Sequence, residues 1–256
     1  MKRIWDEIGP PVFGIVALIV VWAIVAALTD TRGVPSPAEV WSAFLTGMRD
    51  GTIPEATVKT LLRLLFAFAC SIAIGVAIGV GMALNEFTRR SVRPLIVALQ
   101  ITPFVAWLPL AVIWFGASER AVVFVTIVGA FPSVTLATMS AIRQVPPILT
   151  RAGRTMGADG WGLYRDVILP AAMPGFVAGL QQAWGFAWKA LMAAELIITA
   201  VGASGLGHLL AEEQSNVPEL LAVLGVIVVI GVAVDYLLFH RLDRRIRKRR
   251  GLLVEG

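Results

Sequence analysis

The chain is 256 residues long, 57% hydrophobic and only 15% charged, with a mean hydropathy of +0.80. Soluble domains carry about 25% charged residues, so this composition belongs to a membrane protein, and the length leaves room for a single membrane domain over 1–256 with no further folded soluble unit. The net charge of +5 does not imply a nucleic-acid partner, because seven of the basic residues crowd into 241–250 directly after an apolar run, where they suit an anionic lipid surface.

A helix needs roughly 20 apolar residues to cross the hydrocarbon core. The first such run, 10–28, follows Lys2 and Arg3 and lacks a convincing small-residue cleavage site, so it reads as an anchor rather than a signal peptide. The connection 29–60 is too long for a bare turn. Within it, Ser36 is placed to cap a helix, Pro37 suits its first turn, and Glu39 closes a capping box. Val40, Trp41, Phe44, Leu45 and Met48 then share one face, which predicts an extracytoplasmic amphipathic helix over 36–48 lying on the membrane surface.

Further spans are expected at 64–84, 94–116, 121–142, 167–197 and 220–239, making an all-α membrane protein of six transmembrane helices. Gly75 and Gly79 in the second sit four apart and invite close approach by a neighbouring helix. Cys70, the single cysteine, excludes an intrachain disulfide and reads as a small buried apolar residue. Pro103 and Pro109 predict kinks in the third span, and Asp235 near the end of the sixth is expected to pair with the basic tail.

Orientation follows from the lysines and arginines in the connections. With the N-terminus inside, sixteen fall on the inner side and five, Arg32, Arg49, Lys59, Arg63 and Arg120, on the outer side. Both termini are therefore expected in the cytoplasm, together with the polar stretch 144–166. That stretch reads as two short helices: Pro146 and Pro147 open the first, Gly157 ends it, and Asp159 caps a second running to Tyr164. It is longer than a return across the membrane requires.

The residues RAGRTMGADGWGLYRDVILP in this stretch resemble the coupling motif of ABC importer permeases, E-A-A-x3-G-x9-I-x-L-P. Ala152, Gly157, Leu169 and Pro170 match it, Val167 matches conservatively, while Arg151 stands in place of the glutamate and Gly153 in place of the second alanine. VPSPAEVWSAF, TPFVAWLPLAVIWFGASE and AAELIITAVGASGLGHLL are similar to permeases for aliphatic sulfonates, taurine and nitrate, so the resemblance runs from about residue 34 to 245. It implies the type I importer permease fold in a bacterial cell membrane and a homodimer of two such chains. It also implies two ATP-binding subunits on the cytoplasmic side, which hold the ATP and magnesium, and an extracytoplasmic binding protein or lipoprotein. On this resemblance, Arg151, Ala152, Gly153, Met156, Gly157, Ala158, Trp161, Leu169 and Pro170 are the expected coupling residues.

Inside the spans the polar residues are the candidates for a translocation pathway. Lys189 lies deep in the fifth, where an ionisable group is costly unless it faces water or a partner; lining an anion path, snorkelling outward and pairing with Glu195 are the three readings. Glu195 resembles the family's glutamate near the outer end of that helix, with capping or pairing to a backbone amide set beside gating. Gln100, Thr102, Gln181 and Gln182 suit interhelical hydrogen bonds or a dimer axis, and Pro103 a broken helix on a transport path. Trp184 and Trp188 could line a cavity, or simply pack.

No G-x-x-x-x-G-K-[ST] phosphate loop and no G-x-S-x-G elbow is present, and His208 and His240 have no metal-ligand spacing. The expected function is therefore a transport subunit, not an enzyme and without a bound cofactor, moving a small anion such as an aliphatic sulfonate by alternating access. The alternative is a secondary transporter or channel, which would need an ion relay that Lys189, Glu195 and Asp235 do not form.

Overall fold

The computed structural model describes residues 2–29, 34–198 and 205–242. Expectations resting on Arg32, on 199–204, on the tail 243–256 and on the Lys2 and Arg3 side chains lie outside that description. The described residues are almost entirely helical, with no strand among them.

Helix α1 (Lys2–Leu28) leads to α2 (Pro37–Arg49), which starts as its sequence predicts: the Ser36 hydroxyl accepts from the Glu39 amide, and the Glu39 carboxylate accepts from the Ser36 amide at 2.7 Å. The apolar face of α2 covers a crevice between α1, α3 (Thr52–Leu84) and α11 (Val217–Val234). Helix α3 begins twelve residues before the predicted second span. Lys59 and Arg63 interrupt the apolar run, yet they sit inside a continuous helix, so hydropathy alone marked its start too late.

The third predicted span is not one kinked helix. Helix α4 (Glu86–Ile101) and α5 (Leu108–Phe115), joined through a tight turn at Phe104–Trp107, meet at 97°. The break falls at Thr102, which precedes Pro103 and is extended at φ −62°, ψ 124°, as the clash with a following proline ring requires. Pro109 makes no kink, because it sits in the first turn of α5 where no amide partner is lost. At the start of α4, hydrogen bonds from Arg89 and Arg90 draw the Glu86 carboxyl down to a pKa of about 2.

The core is built on α6 (Glu119–Arg143), which packs against α3 on one side and α9 (Leu169–Ile197) on the other. Gly75 and Gly79 allow the first contact. A methyl at Gly79 would lie 2.6 Å from Thr138 Cβ and 2.7 Å from the Thr135 carbonyl, so the backbones meet where a side chain cannot fit. The buried hydroxyls of Thr126, Thr135 and Thr138 donate to carbonyls one turn back in α6, which leaves none of them unsatisfied at this tight interface.

Among the described residues, Thr52–Leu84, Glu119–Arg143 and Val217–Phe239 are long and apolar enough to cross a membrane, and the bent α4–α5 pair makes four if it counts as one span. Helix α9 has the length, at 29 residues, but Gln181, Gln182, Lys189 and Glu195 make it more polar.

Candidate functional site

Two arrangements stand at opposite ends of the α3–α6–α9 core. At the end where α6 finishes, α7 (Pro147–Thr155) and α8 (Gly160–Leu163) form the 144–166 loop, with a π turn, Tyr164–Ile168, leading into α9. Pro147 opens α7 and Gly157 closes it with φ +89°, in the left-handed region that suits glycine. The Ala158 amide donates to the Gly153 carbonyl at 2.9 Å and the Gly157 amide to that of Arg154 at 3.0 Å, which closes the helix end. The second helix runs from Gly160 to Leu163, with Tyr164 still helical at its C-cap. Asp159 stands at its N-cap position without a capping bond, and the chain passes into the π turn at Tyr164.

This loop carries a small core of its own. Val145, Leu163 and Ile168 are buried together with Ala141 of α6 and Ala172 of α9, so the loop is fastened to both helices at once. Gly153 belongs to that fastening, since a methyl there would come within 2.9 Å of Val167 Cγ2 and 3.1 Å of Leu163 Cδ1. An alanine at this position would require the Val167 and Leu163 side chains to shift. Leu169 and Pro170 start α9, with proline in the first turn. On the outer surface, Met156 is 86% and Trp161 73% exposed, beside exposed Arg151, Ala152 and Arg154. Two large apolar side chains thus lie exposed on a loop whose base is buried.

The opposite end holds an ion network that the sequence did not disclose. Arg63 of α3, its side chain 7% exposed, pairs through Nη1 with Glu195 of α9, itself 2% exposed, and through Nη2 with Glu119 of α6 at 3.0 Å. The Thr60 hydroxyl reaches both Glu195 oxygens, at 2.9 and 3.1 Å, and accepts from the Leu206 amide at 2.9 Å. The Gly207 amide donates to Glu195 at 3.0 Å, so pairing with a backbone amide is part of what Glu195 does. Helices α3, α6, α9 and α10 (Leu206–Glu212) are thereby tied at one point.

The glycines of this region follow from the same contact. Methyls at Gly205 and Gly207 would lie 2.6 Å from Glu195 Oε2 and Cβ respectively, and one at Gly207 also 2.9 Å from the Met192 carbonyl. Gly207→Ala is therefore expected to destabilise the chain by about 1–3 kcal/mol. Thermal unfolding of the purified protein checks this, and an unchanged midpoint would contradict the cradle.

The remaining candidates are dispersed. Lys189 is exposed on α9 and forms no ion pair among the described residues, while Glu195 is engaged by Arg63 rather than by Lys189. Gln181 donates across the bundle to Asp235 at 2.9 Å, which gives Asp235 a partner other than the expected tail. Thr102 donates back to Ala98 within α4, Gln100 is half-buried, and Pro103 marks the 97° break. Trp184 lies in the core, edge-on to Phe68 at 5.4 Å, and half-buried Trp188 packs beside it.

Comparison with known proteins agrees with this architecture. A family model described as "binding-protein-dependent transport system inner membrane component" matches residues 71–248. The taurine transport system permease protein of Escherichia coli is 30% identical, over 72% of this chain and 70% of its own. A protein of the same organism named for aliphatic sulfonates transport is 32% identical, over 78% and 75%. Among solved structures, an inward-facing MetNI methionine ABC transporter superposes with a TM-score of 0.63 at 23% identity, covering 76% of this chain and 96% of that one; at this identity it speaks for the fold alone.

Proposed function

The chain belongs to the binding-protein-dependent transport system inner membrane components, and on that premise we propose that it translocates a small anion, an aliphatic sulfonate such as taurine, for an ATP-driven importer. Two copies form the pore, two ATP-binding subunits dock on the 144–166 loop, and an extracytoplasmic binding protein, soluble or lipid-anchored, delivers the anion. Six spans with both termini in the cytoplasm put the loop and the ATP-binding subunits on the same side.

The observation that supports this reading best is the loop itself. Met156 and Trp161 project from a base that Val145, Leu163 and Ile168 join to both α6 and α9. A push on that surface reaches the core as movement of two helices, not as bending of a free loop, and the π turn at Tyr164–Ile168 is the point at which α9 can yield. ATP binding drives the cycle only through contacts that differ between the inward- and outward-open states, and a docking surface on two core helices is placed to supply them. The choice of anion rests on the two relatives above and on the cationic residues of the opposite end.

The test is to purify the chain gently, identify its partners by mass spectrometry, and measure taurine uptake into proteoliposomes. The expected result is about one ATPase per permease and uptake only with ATP and the binding protein. A chain that comes out alone and moves taurine without ATP would overturn the proposal in favour of a secondary transporter or channel.

A further inference from the structure

Beside the ion network a cavity of about 680 Å³ opens between α3, α5 and α6. Arg63, Arg120 and Lys59, the last paired with Glu55 at 2.7 Å, line it together with the carboxylate of Glu119 and the rings of Phe66 and Phe124. Arg63 is shared unequally. One arm meets Glu195, almost wholly buried; the other meets Glu119, whose side chain is 67% exposed; and its Nε has no hydrogen-bond partner among the described residues. Arg120 is exposed and forms no ion pair among the described residues.

We propose that this cavity is an anion-receiving vestibule, in which the head group of a small organic anion takes the place of Glu119 on Arg63, Arg120 supplies the second cation, and the Phe66 and Phe124 rings hold the apolar body. The inference rests on the anion-importer reading and adds where the anion first meets the permease. An exposed carboxylate already occupies the outer arm of Arg63, so an arriving sulfonate or carboxylate exchanges like for like and leaves the buried Glu195 pair intact. A cation entering the same space would face Arg63 and Arg120 at short range. The Arg120 guanidinium, without an ion pair among the described residues, draws anions in from solution, an effect that fades as salt rises.

The test uses the assembled transporter in proteoliposomes, with Cys70→Ala removing the native thiol and Val123→Cys placing a new one on the cavity wall. Its reaction rates with the anionic reagent sulfonatoethyl methanethiosulfonate and the cationic trimethylammonioethyl methanethiosulfonate are compared, each relative to free cysteine. The anionic reagent is expected to be favoured, Arg120→Glu to lower the preference by about tenfold, Arg120→Lys to retain it, and taurine to slow modification. Leu62→Cys, on an exposed position of the same wall, serves where Val123→Cys disturbs packing. A preference unmoved by Arg120→Glu, with ATP-driven taurine uptake by the unsubstituted assembly intact, overturns the vestibule alone. Absence of that uptake strikes at the importer reading instead.

Discussion

Replacing Glu195 by alanine is expected to cost the fold about 3–5 kcal/mol, because it leaves the Arg63 guanidinium buried with its inner partner gone. The loss exceeds that of a surface pair because both groups are almost wholly buried, and because the Thr60 hydroxyl and the Gly207 amide lose their acceptor as well. Arg63→Met should be comparably damaging, since it leaves Glu195 uncompensated. Combining Arg63→Met with Glu195→Leu removes both charges and should recover most of the loss. Thermal unfolding in detergent reads all three variants. A double variant as unstable as either single one would show that charge compensation is not what this cluster supplies.

The second large effect is expected at the opposite end and leaves stability untouched. Met156→Ser together with Trp161→Ser trims two exposed side chains and so removes no core contact. If they anchor the ATP-binding subunit, each is worth about 2 kcal/mol or more at the interface, or about a thirtyfold loss of affinity. The doubly substituted chain should then keep its melting temperature and lose its co-purifying ATPase. Gly157→Val is the companion variant. Its backbone, at φ +89°, costs an L-residue about 1–2 kcal/mol, so the end of α7 rearranges and ATP hydrolysis continues without uptake. Retention of the ATPase by the serine variant would remove the docking assignment.

Much of this architecture was legible because it is written in local patterns. The α2 capping box needs only Ser36 and Glu39, three residues apart, and the end of α7 needs only a glycine after a helical run. The close approach of α3 to α6 was announced by Gly75 and Gly79. The Arg63 network was missed for a physical reason. Arg63 and Glu195 are 132 residues apart, and hydropathy assigned Arg63 to a connection outside the membrane. The alternative partner, Lys189, is six positions from Glu195 on one helix, roughly 9 Å along its axis and on a different face, so helix geometry already argued against that pair. One buried cation and one buried carboxylate at the same depth on two helices was the available signal. The break at Thr102 was half legible: Pro103 announced a distortion, but nothing local distinguishes a kink from a turn of 97°.

That turn bears on how the protein is made. Between Ile101 and Phe104 the chain leaves its helix at a point where the surface of a single copy is open, with Ile101, Thr102 and Pro103 all exposed. Hydrocarbon does not tolerate irregular backbone, so this surface has to lie against protein or water. On the proposed homodimer, a chain inserted without its partner leaves this surface open in the bilayer. Expression of the chain alone should yield a short-lived protein, and supplying its assembly partners should lengthen its life without any change in its rate of synthesis.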